Sequence, residues 1–326
     1  MATQHNRARR SIVSWRNVER LSLGVAWLVL FAAGMAGYWG RDDWRLELFA
    51  NFKMQYYLGA LVLCAVAAWR RYGVILGLSL VIVLWNGWEI FNFSTERIES
   101  PERTYRAISA NVYTKNSQLD RTETWIRQQE PDFVALIELT SDWQVVLENL
   151  KDILPYQQVQ MWGGRYGAAV LSRFPPTEQT APGFAGVGSV PYEVMTPDGP
   201  LLLLLIHPLS PTNEKAWNWR SNALTAIANY SAKESERVPT LVMGDMNTTP
   251  WSPFYRDFVS KSNVTPVVTS ILPRRTWPTT NPLLWIPIDQ FFLSDGLGAV
   301  TQWTGPDLGS DHYPIGLDFG FASQSE

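Results

Sequence analysis

The stretch 240-TLVMGDMN-247 decides how the second half of the chain folds. Thr240 to Met243 form a short apolar run with the composition of a buried strand, and the run ends at Gly244. Asp245 and Asn247 follow at once, so two polar side chains stand at the tip of the predicted strand. Polar groups at the ends of apolar strands often face a shared cleft. This stretch therefore predicts both a buried sheet and a functional site at one edge of it.

The same arrangement, an apolar run with a polar residue at its end, occurs elsewhere in the chain. Two of the three histidines take part in it. A single histidine at a strand end is more often structural than functional. Two of them beside Asn, Glu and three Asp at equivalent positions favour a functional site. The polar residues at strand ends, besides Asp245 and Asn247, are Asn111, Glu138, His207, Asp289, Asp311 and His312.

Short apolar strands alternate with helical stretches from about residue 104 onwards. Many strands with interspersed helices indicate stacked sheets flanked by helices, which is an α/β fold. Ser117 is the expected N-cap of the first of these helices. The predicted strands are Tyr105–Tyr113, Asp132–Leu139, Gly167–Leu171, Leu201–Ile206, Thr240–Met243, Pro287–Leu293 and Tyr313–Phe319, and the predicted helices are Ser117–Gln129, Ser141–Leu150 and Glu214–Tyr230.

Composition excludes some classes of chemistry. The chain has one cysteine, Cys64, so it contains neither an internal disulfide nor a cysteine metal site. Residues 1–100 carry 11 Lys/Arg and 7 Asp/Glu, whereas residues 101–326 carry 16 and 23. An acidic second part has no general attraction for nucleic acid, although a local basic groove stays open. The sequence has no P-loop, GxSxG or HExxH motif.

The first hundred residues contain three long apolar stretches, Leu21–Gly40, Met54–Trp69 and Val74–Phe91. About 20 helical residues cross a hydrocarbon core of ~30 Å, so we expect three transmembrane helices. The alternatives are a buried helical hairpin or a cleaved signal peptide, and a signal peptide has one short apolar region rather than three.

Basic residues predict the orientation of these helices. Seven lie before the first stretch or between the second and third, against three in the loop between the first and second. The positive-inside rule then places the N-terminus in the cytoplasm and the large domain on the other side, the periplasm of a bacterial cell with a multi-pass inner-membrane protein. The seven are Arg7, Arg9, Arg10, Arg16, Arg20, Arg70 and Arg71.

Taken in order, the segments resemble the endonuclease/exonuclease/phosphatase superfamily, in particular membrane-anchored bacterial members. The resemblance covers residues 104–320. Together with the apolar stretches and basic residues, it divides the chain into a cytoplasmic segment 1–20, a transmembrane region 21–91, a linker 92–103 and a catalytic domain 104–320. The matching segments are 109-SANV, 132-DFVALIE, 166-YGAAVLSRFP, 206-IHP, 244-GDMN, 288-IDQFFLS and 310-SDH.

The resemblance implies a four-layer α/β sandwich, in which two mixed sheets pack face to face with helices outside, preceded here by the three transmembrane helices. It also implies hydrolysis of phosphate esters with Mg²⁺ or Mn²⁺. Such a cation lowers the barrier by neutralising charge on the phosphate and the leaving oxygen. By resemblance, Glu138 is the main metal ligand, Asn111 orients the metal shell or a phosphate oxygen, and Asp311 assists metal or substrate binding.

The remaining strand-end residues take catalytic roles in this resemblance. His312 is the general base or the phosphate-binding imidazolium, and Asp289 holds it through the other ring nitrogen. Asp245 orients the attacking water or protonates the leaving group. Asn247 hydrogen-bonds the phosphate in the transition state, and His207 stabilises charge on its non-bridging oxygens.

Three departures from the family pattern are visible. Tyr113 stands where many nucleases have an acidic residue, which leaves a second metal site in doubt. Ile137 replaces the usual Gln before the metal ligand, and the sequence shows no carboxylate partner for His207. Arg165 is a candidate phosphate contact, with a solvated loop residue as the equal alternative. Four tryptophans fall near the predicted cleft, where packing is the commoner role than substrate contact: Trp251, Trp277, Trp285 and Trp303.

The sequence leaves the substrate open among three classes of phosphate ester: phospholipid headgroups, nucleotides or nucleic acid, and small phosphorylated metabolites. Its other expected partner is the lipid bilayer, and protein partners stay unknown at this point. The alternative to an enzyme is a non-catalytic membrane-anchored binding module on the same fold. Retention of all the strand-end residues favours the enzyme.

Overall fold

A computed structural model of the chain describes residues 14–92, 101–161, 167–178, 188–270 and 272–322. The predictions that involve Arg7, Arg9, Arg10, Arg165 and most of the linker 92–103 lie outside these residues. Four helices precede the α/β part: α1 (Trp15–Ala36), followed by a 3-10 turn at Gly37–Trp39, α2 (Trp44–Ala50), α3 (Lys53–Arg70) and α4 (Gly73–Phe91).

Eleven strands are found in the described part of the α/β region, in two sheets. The strands are β1 (Tyr105–Asn111), β2 (Phe133–Leu139), β3 (Tyr156–Gln160), β4 (Gly167–Ser172), β5 (Ser189–Thr196), β6 (Gly199–Ile206), β7 (Thr240–Asp245), β8 (Val264–Pro266), β9 (Asp289–Ser294), β10 (Leu297–Thr304) and β11 (Ile315–Phe321). The first sheet has the order β10-β11-β1-β2-β4-β3 and the second β5-β6-β7-β9-β8. Each sheet is mixed, because β1 pairs with β2 and β6 with β7 in parallel, whereas the other pairs are antiparallel.

The two sheets pack face to face through alternate residues of their strands. Ala107 and Ala135 of the first sheet share one buried cluster with Leu203 and Met243 of the second. The intervening residues of each strand point outwards, as the two-residue period of a strand requires, and pack on helices. The outer helices are α5 (Leu119–Gln129) and α6 (Gln144–Asn149) on the first sheet, and α7 (Glu214–Ser235) and α8 (Pro253–Lys261) on the second. The prediction of two packed mixed sheets with outer helices is confirmed.

Some local predictions were wrong. Ser117 does not cap α5, which begins at Leu119 after Gln118 without a side-chain cap. The predicted helix Ser141–Leu150 begins as a 3-10 turn at Ser141–Trp143 and becomes α6 only from Gln144. The sequence analysis missed β3 because its residues are half-buried or exposed at a sheet edge and show no apolar alternation.

Two of the three predicted membrane spans are supported by the helices of the structure. Within the described residues, two helical segments are long and apolar enough to cross a membrane, Trp15–Trp39 and α4. A third span is counted only if α2 and α3 are taken together as one bent segment, with an angle of 59° between the two helices. The physical reason is charge rather than length, because α3 carries Lys53 at one end and Arg70 at the other, whereas α4, only one residue longer, carries Glu89 alone.

Gly244 allows the close approach of β6 and β7 that positions the strand ends. Its φ is +143°, and a Cβ there would lie 2.0 Å from the carbonyl oxygen of Ile206. We expect Gly244→Ala to lower the free energy of unfolding by about 2–5 kcal/mol, because it adds both backbone strain and a clash. Gly199 is the matched control, since its φ is +122° but nothing lies within 4 Å of its Cβ position. Thermal unfolding in detergent should rank Gly244→Ala well below Gly199→Ala, and equal losses would contradict the role of the close approach.

Candidate functional site

The parallel and antiparallel pairings bring the polar strand ends to one edge of the sandwich. Asn111 ends β1, and Asp245 ends β7. Asp289 begins β9, which runs antiparallel to β7, so that Asp245 and Asp289 are paired in register. His312 precedes β11, which runs antiparallel to β1 and therefore starts at the same edge. The fold thus collects side chains that are up to 201 positions apart in sequence.

A buried histidine–aspartate pair forms the centre of the site. His312 Nδ1 lies 2.9 Å from Asp289 Oδ2, and both side chains are almost fully buried. The backbone N–H of His312 donates to Ser310 Oγ at 3.0 Å. Ser310 Oγ donates in turn to the carbonyl oxygen of Asn111 at 2.7 Å. These bonds fix the imidazole so that its second nitrogen, Nε2, points towards the other site residues.

The amide of Asn111 joins the remaining members. Its Nδ2 donates to Glu138 Oε1 at 2.9 Å and to Asp245 Oδ2 at 3.3 Å, and it lies 3.4 Å from His312 Nε2. Its Oδ1 accepts the backbone N–H of Tyr113 at 3.1 Å. Asn111 therefore holds two carboxylates in place, which is a more specific arrangement than the sequence predicted for it.

Three residues of the site have left-handed backbone conformations without being glycine. The φ angles are +62° at Tyr113, +64° at Glu138 and +49° at Asn247. Such conformations cost of order 1–3 kcal/mol and persist where the surroundings enforce them, often at functional sites. At Glu138 the change coincides with a register shift between β2 and β4, which turns its side chain out of the strand alternation. The strain positions the carboxylate at the cleft.

Asn247 is held by its neighbours on both sides. Its backbone N–H donates to Asp245 Oδ1 at 2.7 Å, and its side-chain Nδ2 donates to the carbonyl oxygen of Pro208 at 3.0 Å. Because Nδ2 has two hydrogens, one donor remains free to point elsewhere. The residue therefore bridges the ends of β6 and β7 at the edge of the site.

His207 has carboxylate neighbours that the sequence analysis did not find. Its Nε2 lies 3.8 Å from Glu138 Oε1 and 3.9 Å from Asp245 Oδ2. Both residues are distant from His207 along the chain, and only the sheet packing brings them together. His207 is therefore an additional contact of the carboxylate pair rather than a residue without an acidic partner.

Burial and mutual charge shift the pKa values of the group. Burial lowers the pKa of His312, but the carboxylates of Asp289 and Asp245 outweigh it and raise the pKa to about 10. Burial raises the pKa of Asp245 to about 7, against the opposing charge of His312. Burial lowers the pKa of His207 to about 4, against the opposing charge of Glu138. Two imidazoles in one site thus have pKa values shifted in opposite directions.

These side chains form one end of a cleft of about 1080 Å³. Six of the eight predicted site residues line it, while Asn111 and Asp289 lie behind them, buried and supporting. Among the described residues that line the cleft there is no Lys or Arg. The six lining residues are Glu138, His207, Asp245, Asn247, Asp311 and His312.

The donor set of the cleft fits a divalent cation. Carboxylate oxygens are the ligands that Mg²⁺ prefers, and Glu138, Asp245 and Asp311 all line the cleft. Asp311 Oδ2 accepts from Trp277 Nε1 at 3.1 Å, whereas its Oδ1 is buried without a hydrogen-bond partner. A buried carboxylate oxygen without a partner is costly unless a cation or donor compensates it. Ligand atoms of Asp245, Asp289 and His312 also lie within 4.8 Å of one another.

A segment from the N-terminal helices completes the cleft, and the sequence analysis missed it. Trp44, Leu48 and Phe52, in α2 and the turn after it, line the cavity. The predicted loop between the first two spans is in fact helical here, with Asp43 as the N-cap that accepts the N–H of Arg45. An N-cap Asp before a short apolar pattern was the available signal.

Helix α2 is attached to the α/β region by a buried charge network. Glu47 is 1% exposed and accepts hydrogen bonds from Trp217 Nε1 and Ser252 Oγ, each at 2.6 Å, and from Arg220. Arg220 is fully buried and also donates to the carbonyl oxygen of Asn247 at 3.2 Å. One guanidinium therefore links the N-terminal helices to a residue of the site.

The family of the chain follows from comparison with known proteins. Residues 108–312, more than half of the chain, match the Endonuclease/Exonuclease/phosphatase family. The chain belongs to this family, whose members are metal-dependent phosphoesterases. No curated protein sequence is significantly similar to it.

Solved structures share the fold at low sequence identity. TDP2 from Caenorhabditis elegans has a TM-score of 0.56 and 17% identity, covering 69% of this chain and 100% of that one. TDP2 from D. rerio, complexed with a single-strand DNA product, has a TM-score of 0.56 and 18% identity over 67% and 99%. A beta toxin from Staphylococcus aureus has a TM-score of 0.50 and 19% identity over 65% and 99%. In each case the uncovered part of this chain is about a third.

Proposed function

We propose that the protein is a membrane-anchored phosphoesterase that hydrolyses phosphate esters with Mg²⁺ or Mn²⁺. One observation carries the proposal, the His312–Asp289 pair beside the clustered carboxylates of Glu138 and Asp245 on the floor of a large cleft. Family membership supports it, because members of the family are metal-dependent phosphoesterases. A cleft with three lining carboxylates would repel an anionic ester in the absence of a cation.

Glu138 and Asp311 would hold the cation, with Asn111 orienting the carboxylate of Glu138. When bound, the cation neutralises charge on the phosphate and on the leaving oxygen. Asn111 supports this role through its bond to Glu138 Oε1 at 2.9 Å. The N–H of Thr114 donates to Glu138 Oε2 at 3.3 Å, so both oxygens of the metal-binding carboxylate are oriented.

His312, Asp245, Asn247 and His207 would act on the phosphate itself. Asp289 holds His312 through Nδ1, so Nε2 is the nitrogen that acts on the substrate. As an imidazolium, the form that its raised pKa favours, it would donate to a phosphate oxygen, and as a neutral ring it would accept the proton of the attacking water. Asp245 lies 3.8 Å from that nitrogen and would orient the water or protonate the leaving oxygen. Asn247 and His207 line the same cleft and would bind the non-bridging oxygens.

A non-catalytic binding module is the second candidate, and the site geometry disfavours it. A protein that only bound a ligand would have no need of a buried His–Asp pair whose second ring nitrogen faces a further carboxylate, that of Asp245 at 3.8 Å.

We further propose that the helices cross the inner membrane of a bacterial cell, with the N-terminus in the cytoplasm and the catalytic domain, residues 104–320, in the periplasm. Three crossings, by α1, α3 and α4, give this arrangement, while α2 lies outside the bilayer against the α/β region. Two contacts support it: Arg70 pairs with Glu19 at one end of the helices, and Arg41 pairs with Asp257 of the α/β region at the other. The end of the helices that carries Arg70 and the catalytic domain thus lie at opposite ends of the helix bundle. A C-terminal alkaline phosphatase fusion should be active, and an inactive fusion would contradict the orientation.

The function is tested with the full chain in nanodiscs and bis-(p-nitrophenyl) phosphate as substrate. We expect release of nitrophenol that requires Mg²⁺ or Mn²⁺, stops on addition of EDTA, and returns when metal is restored. Calcium serves as the control cation, because it prefers more ligands at longer distances. Hydrolysis that persists after chelation would contradict the metal-dependent mechanism.

A further inference from the structure

The cleft is polar at the catalytic end and mostly apolar elsewhere, where Asn51, Ser210 and Thr212 are the polar lining residues. Trp44, Leu48 and Phe52 contribute from α2 and the turn after it. The segment between β6 and α7, together with the first turns of α7, contributes a second set of mostly apolar residues. That set is Leu209, Pro211, Ala216 and Trp219. A substrate whose phosphate reached His312 would therefore have its remaining part against apolar side chains.

The part of the cleft formed by α2 is fixed in place. Besides Glu47, Asn51 Oδ1 accepts from Thr249 Oγ1 at 2.9 Å, and Gln55 Nε2 donates to the carbonyl oxygen of Trp285 at 2.9 Å. These bonds tie α2 and the start of α3 to three separate segments of the α/β region. The apolar lining is therefore part of the folded site and does not depend on a mobile element.

The lining chemistry selects among the substrate classes. No Lys or Arg is found among the described lining residues, so the cleft lacks the side chains that bind successive phosphates of a nucleic acid. Small polar metabolites would leave the apolar lining in contact with water. A hydrocarbon chain would remove that lining from water, at a gain proportional to the buried apolar area.

The location of the lining favours a substrate that comes from the bilayer. Helix α2 follows α1 directly in the sequence, and α1 is apolar enough to cross a membrane. Large apolar side chains nearby are exposed on the surface of the protein, among them Trp39 at 52% and Phe49 at 41%. Leu283, at 81%, accepts a hydrogen bond from Gln55 at its carbonyl oxygen and so lies at the start of α3. Exposed apolar residues in such a position mark contact with lipid.

We infer that Trp44, Leu48 and Phe52 form, with the β6–α7 segment, a subsite for the hydrocarbon chain of a lipid phosphate ester. This inference rests on the proposed function. The subsite holds the chain while the phosphate lies among Glu138, His207 and His312. It assigns a substrate-binding role to α2, which belongs to the membrane region of the chain.

The test uses p-nitrophenyl alkyl phosphates of increasing chain length, from methyl to octyl, below their micelle concentrations, with the full chain in nanodiscs. We expect kcat/KM to rise with chain length, by up to about fourfold for each methylene that becomes buried. Leu48→Asn should lower kcat/KM for the octyl ester at least tenfold more than for the methyl ester. Phe49→Asn, one residue further along α2 and outside the cleft, is the matched control and should leave the chain-length dependence intact.

Ala216→Asn approaches the subsite from α7 and should flatten the same dependence, which keeps the test valid if Leu48→Asn disturbs α2. Hydrolysis of the methyl ester without any chain-length dependence would overturn the subsite and leave the proposed function standing. Loss of all metal-dependent hydrolysis in the wild type would overturn the proposed function first. A preference for thymidine 5′-(p-nitrophenyl phosphate) over the octyl ester would overturn the lipid assignment in favour of a nucleobase on Trp44.

Discussion

His312→Gln is expected to lower kcat for bis-(p-nitrophenyl) phosphate by about 10²–10⁴-fold, with a much smaller change in KM. Proton transfer by a positioned side chain contributes on this scale. Glutamine can still donate to Asp289 through its amide, so the buried carboxylate keeps a partner, but its amide can neither accept a proton from water nor carry the positive charge of an imidazolium. The effect should therefore fall on the chemical step, as a kcat loss in steady-state kinetics with saturating metal.

Folding and metal binding need separate controls for this variant. The same change at His5, which lies in the predicted cytoplasmic segment, tests the substitution itself and should leave kcat unchanged. Replacing the charged partner of the buried Asp289 carboxylate should lower the melting temperature of His312→Gln, so its kcat is compared at a temperature at which circular dichroism shows both proteins to be folded. A variant that folds and keeps most of its kcat would show that His312 is not the proton-transfer or phosphate-binding residue.

Glu138→Gln should lower activity by about 100-fold or more and weaken metal binding by more than tenfold. Loss of residues that merely orient metal ligands costs 10–100-fold in affinity or activity, and a direct ligand should cost at least as much. The change removes one negative charge next to Asn111 while keeping the shape of the side chain. Mn²⁺ binding followed by electron paramagnetic resonance gives a readout that does not depend on turnover.

Glu148→Gln is the matched control, because Glu148 is an exposed glutamate whose partner is Lys151 on the same helical turn. It should change neither metal affinity nor activity. If Glu138→Gln bound Mn²⁺ as tightly as the wild type, the cation would be held elsewhere. Asp245, Asp289 and His312, whose ligand atoms cluster within 4.8 Å, would then be the set to test.

The sequence was most informative where function and topology coincide. Each apolar run followed by a polar residue predicted a strand and its end, and the structure brings Asn111, Glu138 and Asp245 into contact as that pattern required. Strand ends can be predicted because a buried strand requires an apolar run, and the polar residues of a functional site end that run. Their roles in catalysis stay predictions until the variants are measured.

The sequence could not show what depends on long-range packing. Nothing local in the sequence marks Glu47 as buried, because its partner Arg220 is 173 positions away. The half-buried edge strand β3, with the sequence YQQVQ, was not predicted for a related reason. Its pairing with β4 comes from a neighbouring strand and not from its own periodicity.

The Glu47–Arg220 link has a consequence for how the proposed hydrolase would meet its substrate. A hydrolase on a long flexible tether would sweep through a volume of solvent above its anchor. Here the ion pair and its neighbouring bonds hold the candidate site in one position and orientation relative to the helices. Encounters with substrate would therefore take place at a fixed distance from the membrane. Removing residues 1–100 would release the α/β region from the helices. It would also leave the buried guanidinium of Arg220 without the carboxylate of Glu47, and breaking an internal ion pair in this way typically costs about 3–5 kcal/mol.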